Sequence, residues 1–461
     1  MNHCKRYLTW SAAFLLSFTF GIAARAAELV PPAKIDALAG PAVENGWIYG
    51  MAIGLINERG TQTAGYGLLS ETSAAAPNAD SVFEIGSITK VFTGLALAQM
   101  VEEHKVALTD PVQTLLGDAM KVPRGVEREI RLVDLSTHSS GLPRMPANFN
   151  PQDPKDPFAD YSVEQLAEFL AEHKMRREPL AQYEYSNLAV GLLGHALALK
   201  DGVSWEEMVR QRICEPLSMN DTRITLDDDL RSRLARGHDA AGNAAENWHL
   251  PTLAGAGALR STVNDMLKFM AANLGLAQTP FDPAIAASHQ VHFKMGEAGG
   301  VALGWHVMPD GTIWHNGGTG GYHSFAGFRP DKKVGVVVLA NSAVQHVDQL
   351  GDRLLDLLAT GEARPLKFAR SVKLDAQALE PLVGRYKMAN APKVIISRDG
   401  ETLMLQVVGQ PRLKLEAESA RRFFTRADAD VAITFEADDA GKVQRLVIHQ
   451  NGQDHPAERE E

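Results

Sequence analysis

The spacing of apolar and polar positions changes period several times along this chain, and each change predicts an element. Residues 51–57 and 61–66 run apolar or alternate around Glu58-Arg59-Gly60, the pattern of a β-hairpin with its turn at Arg59-Gly60. Ile88, Val91, Phe92 and Leu95 then fall at i, i+3, i+4 and i+7, one face of a helix directed at a core. From about residue 110 to 250 the pattern is helical and loop-rich, with a Pro- and Asp-laden loop at 145–160 and an apolar helix over 188–199. This region reads as a helical insertion beside a sheet. Strand character returns at 312–315, entering a glycine-dense turn, and continues at 322–329 and 334–341. Residues 361–374, with Pro365 and mixed charge, read as a linker. Short alternating segments follow at 384–388, 393–397, 402–408, 412–417, 422–425, 430–435 and 443–449, which predict a small antiparallel barrel or sandwich.

The first residues change the compartment. Lys5 and Arg6, the uncharged run 8–22 and Ala24-Arg25-Ala26 fit a secretory leader with a small-residue cleavage site after Ala26. The run is short for a bilayer span, and no later stretch approaches one. The expectation is a soluble protein exported to a bacterial periplasm. Cleavage would remove three cations and no acid, taking the formal charge from −10 to −13, which argues against a nucleic-acid partner. Cys4 would leave with the leader, so Cys214 would stand alone and no intramolecular disulfide could form. Stability must then come from core burial, which about 435 residues can supply in two or more domains.

Candidate chemistry is concentrated in three short motifs. In Phe83-Glu84-Ile85-Gly86-Ser87-Ile88-Thr89-Lys90 a hydroxyl and an amine lie three residues apart at a helix start, so their side chains are neighbours. A serine is a weak nucleophile, and a lysine takes its proton only where burial or charge lowers the amine pKa; the apolar run behind Lys90 can supply that burial. Taken alone, the tetrad also fits a helix-start serine followed by a solvated lysine. The second motif, Tyr185-Ser186-Asn187, stands before the apolar helix, where a phenol and an amide can reach the serine. The third, Trp314-His315-Asn316-Gly317-Gly318-Thr319-Gly320-Gly321, has the glycines that let a backbone approach a ligand and present N–H groups to an oxyanion. His138, in Leu135-Ser136-Thr137-His138-Ser139-Ser140-Gly141-Leu142-Pro143, is a candidate base, although a hydrogen bond to the loop backbone is the commoner state of such a histidine. His315 and His323 lack a third ligand at metal spacing, so no metal and no cofactor are expected. Gly255-Ala256-Gly257 precedes a helix that Ser261 or Thr262 can cap.

Ser87-x-x-Lys90, Tyr185-x-Asn187 and His315-x-Gly317, in that order, resemble the penicillin-recognising serine hydrolases of the class C β-lactamase and DD-peptidase group. The resemblance covers about residues 30–360, including 135–143 and 255–265; the segment after 375 is similar to the lipocalin-like domain that follows in some members. It implies an α/β (α+β) fold, with an antiparallel sheet flanked by helices plus an all-helical region, followed by a small antiparallel β-barrel. The implied division is a leader at 1–26, a catalytic domain at 27–360, a linker at 361–374 and the barrel at 375–461. It further implies Ser87 as the acylated nucleophile, Lys90 and Tyr185 as the proton-transfer pair and Asn187 as a substrate-amide contact, with the N–H groups of Ser87 and Gly318 as oxyanion hole and His315 and Gly317 in the substrate site. The implied activity is hydrolysis of amide bonds in β-lactams or D-amino-acid cell-wall peptides; a related carboxylesterase, or a penicillin-binding protein that acylates and stalls, are the alternatives. The implied partner is a small-molecule or peptide substrate. The chain departs from class C β-lactamases at His315, where they have lysine. Two roles stay open for it, a cation attracting a substrate carboxylate or a neutral ring that donates a hydrogen bond or orients Tyr185.

Overall fold

The strand Val334–Ala340 is apolar at every position because both of its faces are covered: Val337 and Leu339 enter one core, and Val336, Val338 and Ala340 another. In this computed structural model, which describes residues 28–460 apart from 390, 391, 411, 427–430 and 451, that strand is central to an eight-stranded sheet. The order is Gly60–Gly67, Gly50–Asn57, Val334–Ala340, His323–Arg329, Ile313–Gly318, His306–Val307, Gly300–Val301, Phe293–Lys294, antiparallel throughout. The expected leader and its cleavage site lie outside the described residues, and among those described no helix is long and apolar enough to cross a membrane.

One sheet face is covered by the helices Thr89–Glu102 and Val263–Asn273, with Asn187–Asp201 packed into the same core; the other is covered by Pro32–Glu44 and His346–Thr360. Thr89–Glu102 is buried from Thr89 to Met100, enclosed between the sheet and the helical region, as an all-round apolar helix requires. Thr262 caps Val263–Asn273 by accepting the Asp265 N–H at 3.2 Å.

Three local expectations are corrected. The first hairpin turns at Glu58-Arg59, one residue early, because Asn57 pairs with Gly60 and the Asn57 side chain accepts the Arg59 N–H at 2.8 Å, an Asx turn that favours this register. The motif strand does not stop at His315; it pairs with His323–Arg329 through Gly317 and Gly318, glycines that carry no strand signal of their own. The C-terminal domain has an eighth strand, Gln453–Arg459, which pairs with Gly384–Met388 and closes the barrel. Only Ala457 of this strand is buried and it contains Pro456, so its sequence lacks the alternation that marks the other seven.

The barrel has its own apolar centre, including Tyr386, Phe423 and Phe435, and docks behind the sheet, on the side away from Thr89–Glu102. Phe424 stacks on Trp47 with centroids 4.9 Å apart, and both join the second core. The Arg426 guanidinium lies over the Trp47 ring and donates to the carbonyls of Asn45 and Gly46. A chain ending at residue 370 keeps Phe368 and the Ala369 carbonyl that accepts the Trp47 indole N–H at 2.7 Å. That shortened chain is expected to unfold cooperatively at a lower Tm than the full chain, since Trp47 loses its stacking partner, and to label at Ser87 with fluorescent penicillin at an unchanged rate. A folded truncate that does not label would assign part of the site to the barrel.

Candidate active site

The site begins where two backbones touch. Gly86–Ile88 forms a single 3₁₀ turn leading into Thr89–Glu102. Gly86 has φ +48°, and a Cβ there would lie 2.7 Å from the Gly318 nitrogen and 3.0 Å from its carbonyl oxygen. A Cβ on Gly317 would lie 2.0 Å from the Ile85 carbonyl oxygen. Only glycine fits at either position, and the contact sets the Gly318 amide beside Ser87. Upstream, Glu84 is buried and anchored by Arg260 at 3.1 Å and by the Trp248 N–H at 3.0 Å.

Lys90 is fully buried. Its Nζ lies 2.9 Å from Ser87 Oγ, 2.9 Å from Asn187 Oδ1 and 2.7 Å from the Ala256 carbonyl oxygen. Burial first, and then the charge of Arg144, hold its pKa well below the ordinary lysine value, which favours the neutral amine. A neutral amine has two N–H groups and one lone pair. Asn187 Oδ1 and the Ala256 carbonyl can only accept, so they take both N–H groups and leave the lone pair for the Ser87 hydroxyl.

Tyr185 is half-buried and shares a side-chain hydrogen bond with Ser87. Burial raises its pKa, a shift opposed by that bond, so the phenol keeps its proton and can relay one. Its ring is surrounded. His138 is 4.3 Å away between centroids, the Lys90 Nζ is 4.9 Å from the ring centroid, the Arg144 Cζ is 5.2 Å from it, and His315 is 6.3 Å away. The entrance is fixed by Ser186, whose Oγ accepts the Ala189 N–H and donates to the Pro143 carbonyl at 2.7 Å, and by the Arg144 carbonyl, which accepts the N–H groups of Asn187 and Leu188. The Asn187 amide nitrogen is 3.8 Å from the Met145 sulfur.

Both histidines are neutral. The Ser186 N–H donates to His138 Nδ1 at 3.1 Å, so the expected backbone bond is present and the proton sits on Nε2. The positive φ of His138, 57°, turns the ring onto Tyr185. His315 Nδ1 faces the carbonyl of Asn316, which can only accept, so Nδ1 carries the proton and Nε2 is left as a lone pair. Burial of both rings pushes their pKa values well down, and His306, 5.1 Å from His315, is pushed down to about 4. This disfavours the cationic role for His315, and with its one N–H given to the Asn316 carbonyl the remaining ring nitrogen can only accept, so the donor role is disfavoured as well. Asn316 points away, its amide donating to Asp348 at 2.7 Å. His323 also pairs with Asp348, at 2.8 Å, and among the described residues no metal-binding cluster forms.

The structure thus gathers Ser87, Lys90, Tyr185, Asn187, His315, Gly317 and Gly318 around one point. A family model described as Beta-lactamase matches residues 35–361. The chain belongs to the beta-lactamase family. This beta-lactamase family member is a serine hydrolase; a second model, described as a domain of unknown function, matches residues 369–459, the barrel. The D-alanyl-D-alanine-carboxypeptidase/endopeptidase AmpH of Escherichia coli K12 is 30% identical over 332 residues, covering 67% of this chain and 84% of that protein. A beta-lactamase of Pseudomonas fluorescens is 24% identical, over 68% of this chain and 95% of that one. Among solved structures, a beta-lactamase/D-alanine carboxypeptidase from Yersinia pestis complexed with citrate matches with a TM-score of 0.63 and 26% identity, over 71% of this chain and 97% of that one.

Sequence reasoning missed Ala256 and Arg144. Ala256 contributes only a carbonyl, which no side-chain pattern reveals. Arg144 stands directly after the recognised Leu142-Pro143 turn, and no spacing or residue pattern marked it. Two outcomes are expected. Since the Lys90 pKa is lowered, its amine is neutral above a value well under the usual lysine range, so acylation of Ser87 by an uncharged ester should be on its plateau at neutral pH and fall only towards acid. A rate still climbing near pH 10 would mean a charged resting lysine. Gly86→Ala should slow acylation by about a hundredfold or more by displacing the Gly318 amide, with circular dichroism confirming the fold; an unchanged rate would remove that amide from the chemistry.

Proposed function

We propose that this family member is exported and hydrolyses amide bonds of D-amino-acid cell-wall peptides or β-lactams through an acyl-enzyme on Ser87. The observation that carries the reading is the fully buried Lys90 amine, whose two obligate acceptors leave its lone pair to the Ser87 hydroxyl. As Ser87 Oγ attacks the substrate carbonyl, Lys90 takes its proton, and the N–H groups of Ser87 and Gly318 receive the developing oxyanion. The proton held by Lys90 is relayed through Tyr185 to the departing amine, which restores both groups, and water entering by the reverse path releases the acyl group and returns the Ser87 proton. Asn187, its oxygen held by Lys90, offers its amide nitrogen to a carbonyl of the substrate. His315 and Gly317 line the strand against which the substrate lies. The leader pattern at 1–26 supports export, and the AmpH relative supports a peptide substrate.

A panel of a D-Ala-D-Ala peptide, a cephalosporin and a short-chain ester tests the reading, with single-turnover kinetics separating hydrolysis from stalled acylation. The peptide or the cephalosporin should turn over in preference to the ester. Ser87→Ala should abolish covalent labelling by fluorescent penicillin; an adduct mapped to another residue in that variant would overturn the assignment.

A further inference from the structure

The strand that would ordinarily supply a cation to the leaving-group side of this site does not supply one. His315 and His306 are neutral, Asn316 is tied to Asp348, and the Lys90 amine is fully buried with its pKa held well below the ordinary lysine value. A carboxylate seated against Ile313–Gly318 would be desolvated without a counter-charge, and the Nε2 lone pair of His315 would repel it. Across the cleft the situation is reversed. Arg144 is exposed, its guanidinium lies 5.2 Å from the Tyr185 ring centroid, and among the described residues no carboxylate pairs with it. The neighbouring Arg177, by contrast, is ion-paired with Glu184. The backbone of Arg144 is immobilised, because its carbonyl takes the N–H groups of Asn187 and Leu188 at 3.0 and 3.2 Å. Its position over the Tyr185 ring puts its charge close enough to shift Lys90, His138, Tyr183 and Tyr185.

Resting on the hydrolase reading above, we infer that Arg144 is the specificity-determining cation of this site, binding the carboxylate of an anionic substrate from the Tyr185 side of the cleft. A guanidinium offers paired N–H donors in a plane that matches a carboxylate, and one stacked on an aromatic ring is held ready for it. It also lies on an acidic chain of formal charge −10, where a local cation is needed to admit an anion at all.

The test compares kcat/KM for an acylated D-alanyl-D-alanine peptide with a free C-terminal carboxylate against the same peptide as its C-terminal amide. A second arm compares Ser87 acylation by a penicillin and by its methyl ester. The wild type should favour the carboxylate form by about tenfold or more at low ionic strength, less at high salt. Arg144→Gln should bring the ratio near one and Arg144→Lys should retain much of it. The titratable groups that sense the guanidinium are Lys90, His138, Tyr183 and Tyr185, with His306 and His315 packed beyond them. Because the histidines are already neutral and arginine stays charged, the ratio should be flat from about pH 6 to 8.5. Dependence on Arg144 in one arm alone identifies that substrate's carboxylate as the one bound. The inference is overturned by a wild-type ratio near one, by a ratio unchanged in Arg144→Gln, or by a ratio that decays across that pH range and is removed by His315→Gln. If neither compound acylates Ser87, the hydrolase reading fails and takes this inference with it. If both acylate and the ratio ignores Arg144, this inference alone fails.

Discussion

The burial of one amine constrains most of this molecule. An ammonium in the position of Lys90 would have to be paid for by roughly several kcal/mol of lost hydration, and the fold offers it no carboxylate. It offers two carbonyl-type oxygens instead, from Asn187 and Ala256, beside the Ser87 hydroxyl. Holding those acceptors in place requires the helix Asn187–Asp201 and the short helix Ala254–Gly257 to converge on Thr89–Glu102. The large first core, in which all three are packed, therefore serves chemistry as well as stability: it keeps water away from the lysine and keeps its lone pair directed at Ser87.

A second constraint is the closeness of the Ser87 turn to the motif strand. With Gly86 and Gly317 removing the side chains that would separate them, Ser324 Oγ can bridge to the Ile85 carbonyl at 2.9 Å. The strand is open beyond the short pairing with His306–Val307, which reaches only to Trp314, so Asn316 to Gly318 present an unpaired edge to the cleft. Its other side is held by pairing to His323–Arg329 and by Asp348, which receives both Asn316 and His323. The helix His346–Thr360, on the far face of the sheet, thereby fixes the end of the strand that carries Gly318. The barrel attaches at this far side through the contacts of Phe424 and Arg426 with Trp47.

The electrostatics of the cleft follow from burial. Three histidines, His138, His306 and His315, crowd around Tyr185 and Lys90, and each would add a desolvated positive charge beside a neutral amine if protonated. All are held neutral, and the two most buried keep a ring nitrogen without a partner. The standing charge at the mouth belongs to Arg144, which water can reach.

The sequence by itself determined what local periodicity can express. Ser87 and Lys90 are adjacent because three residues on a helix place them so. The hairpin, the apolar helix after Tyr185 and the strands after His315 were all legible, as were seven of eight barrel strands. The eighth escaped because it is polar and nearly unburied; the strand through Gly317 and Gly318 escaped because glycine has no face to show. The three motifs named the residues of the site. What only the tertiary structure decided is their state: the neutrality of Lys90 and His315, the acceptor supplied by Ala256 and the station of Arg144 over Tyr185. Asn187 and Ala256 reach Lys90 from 97 and 166 residues away. Local spacing fixes which neighbours share a face, whereas desolvation and electric field at an atom sum over everything packed around it, and that sum exists only once the chain has folded.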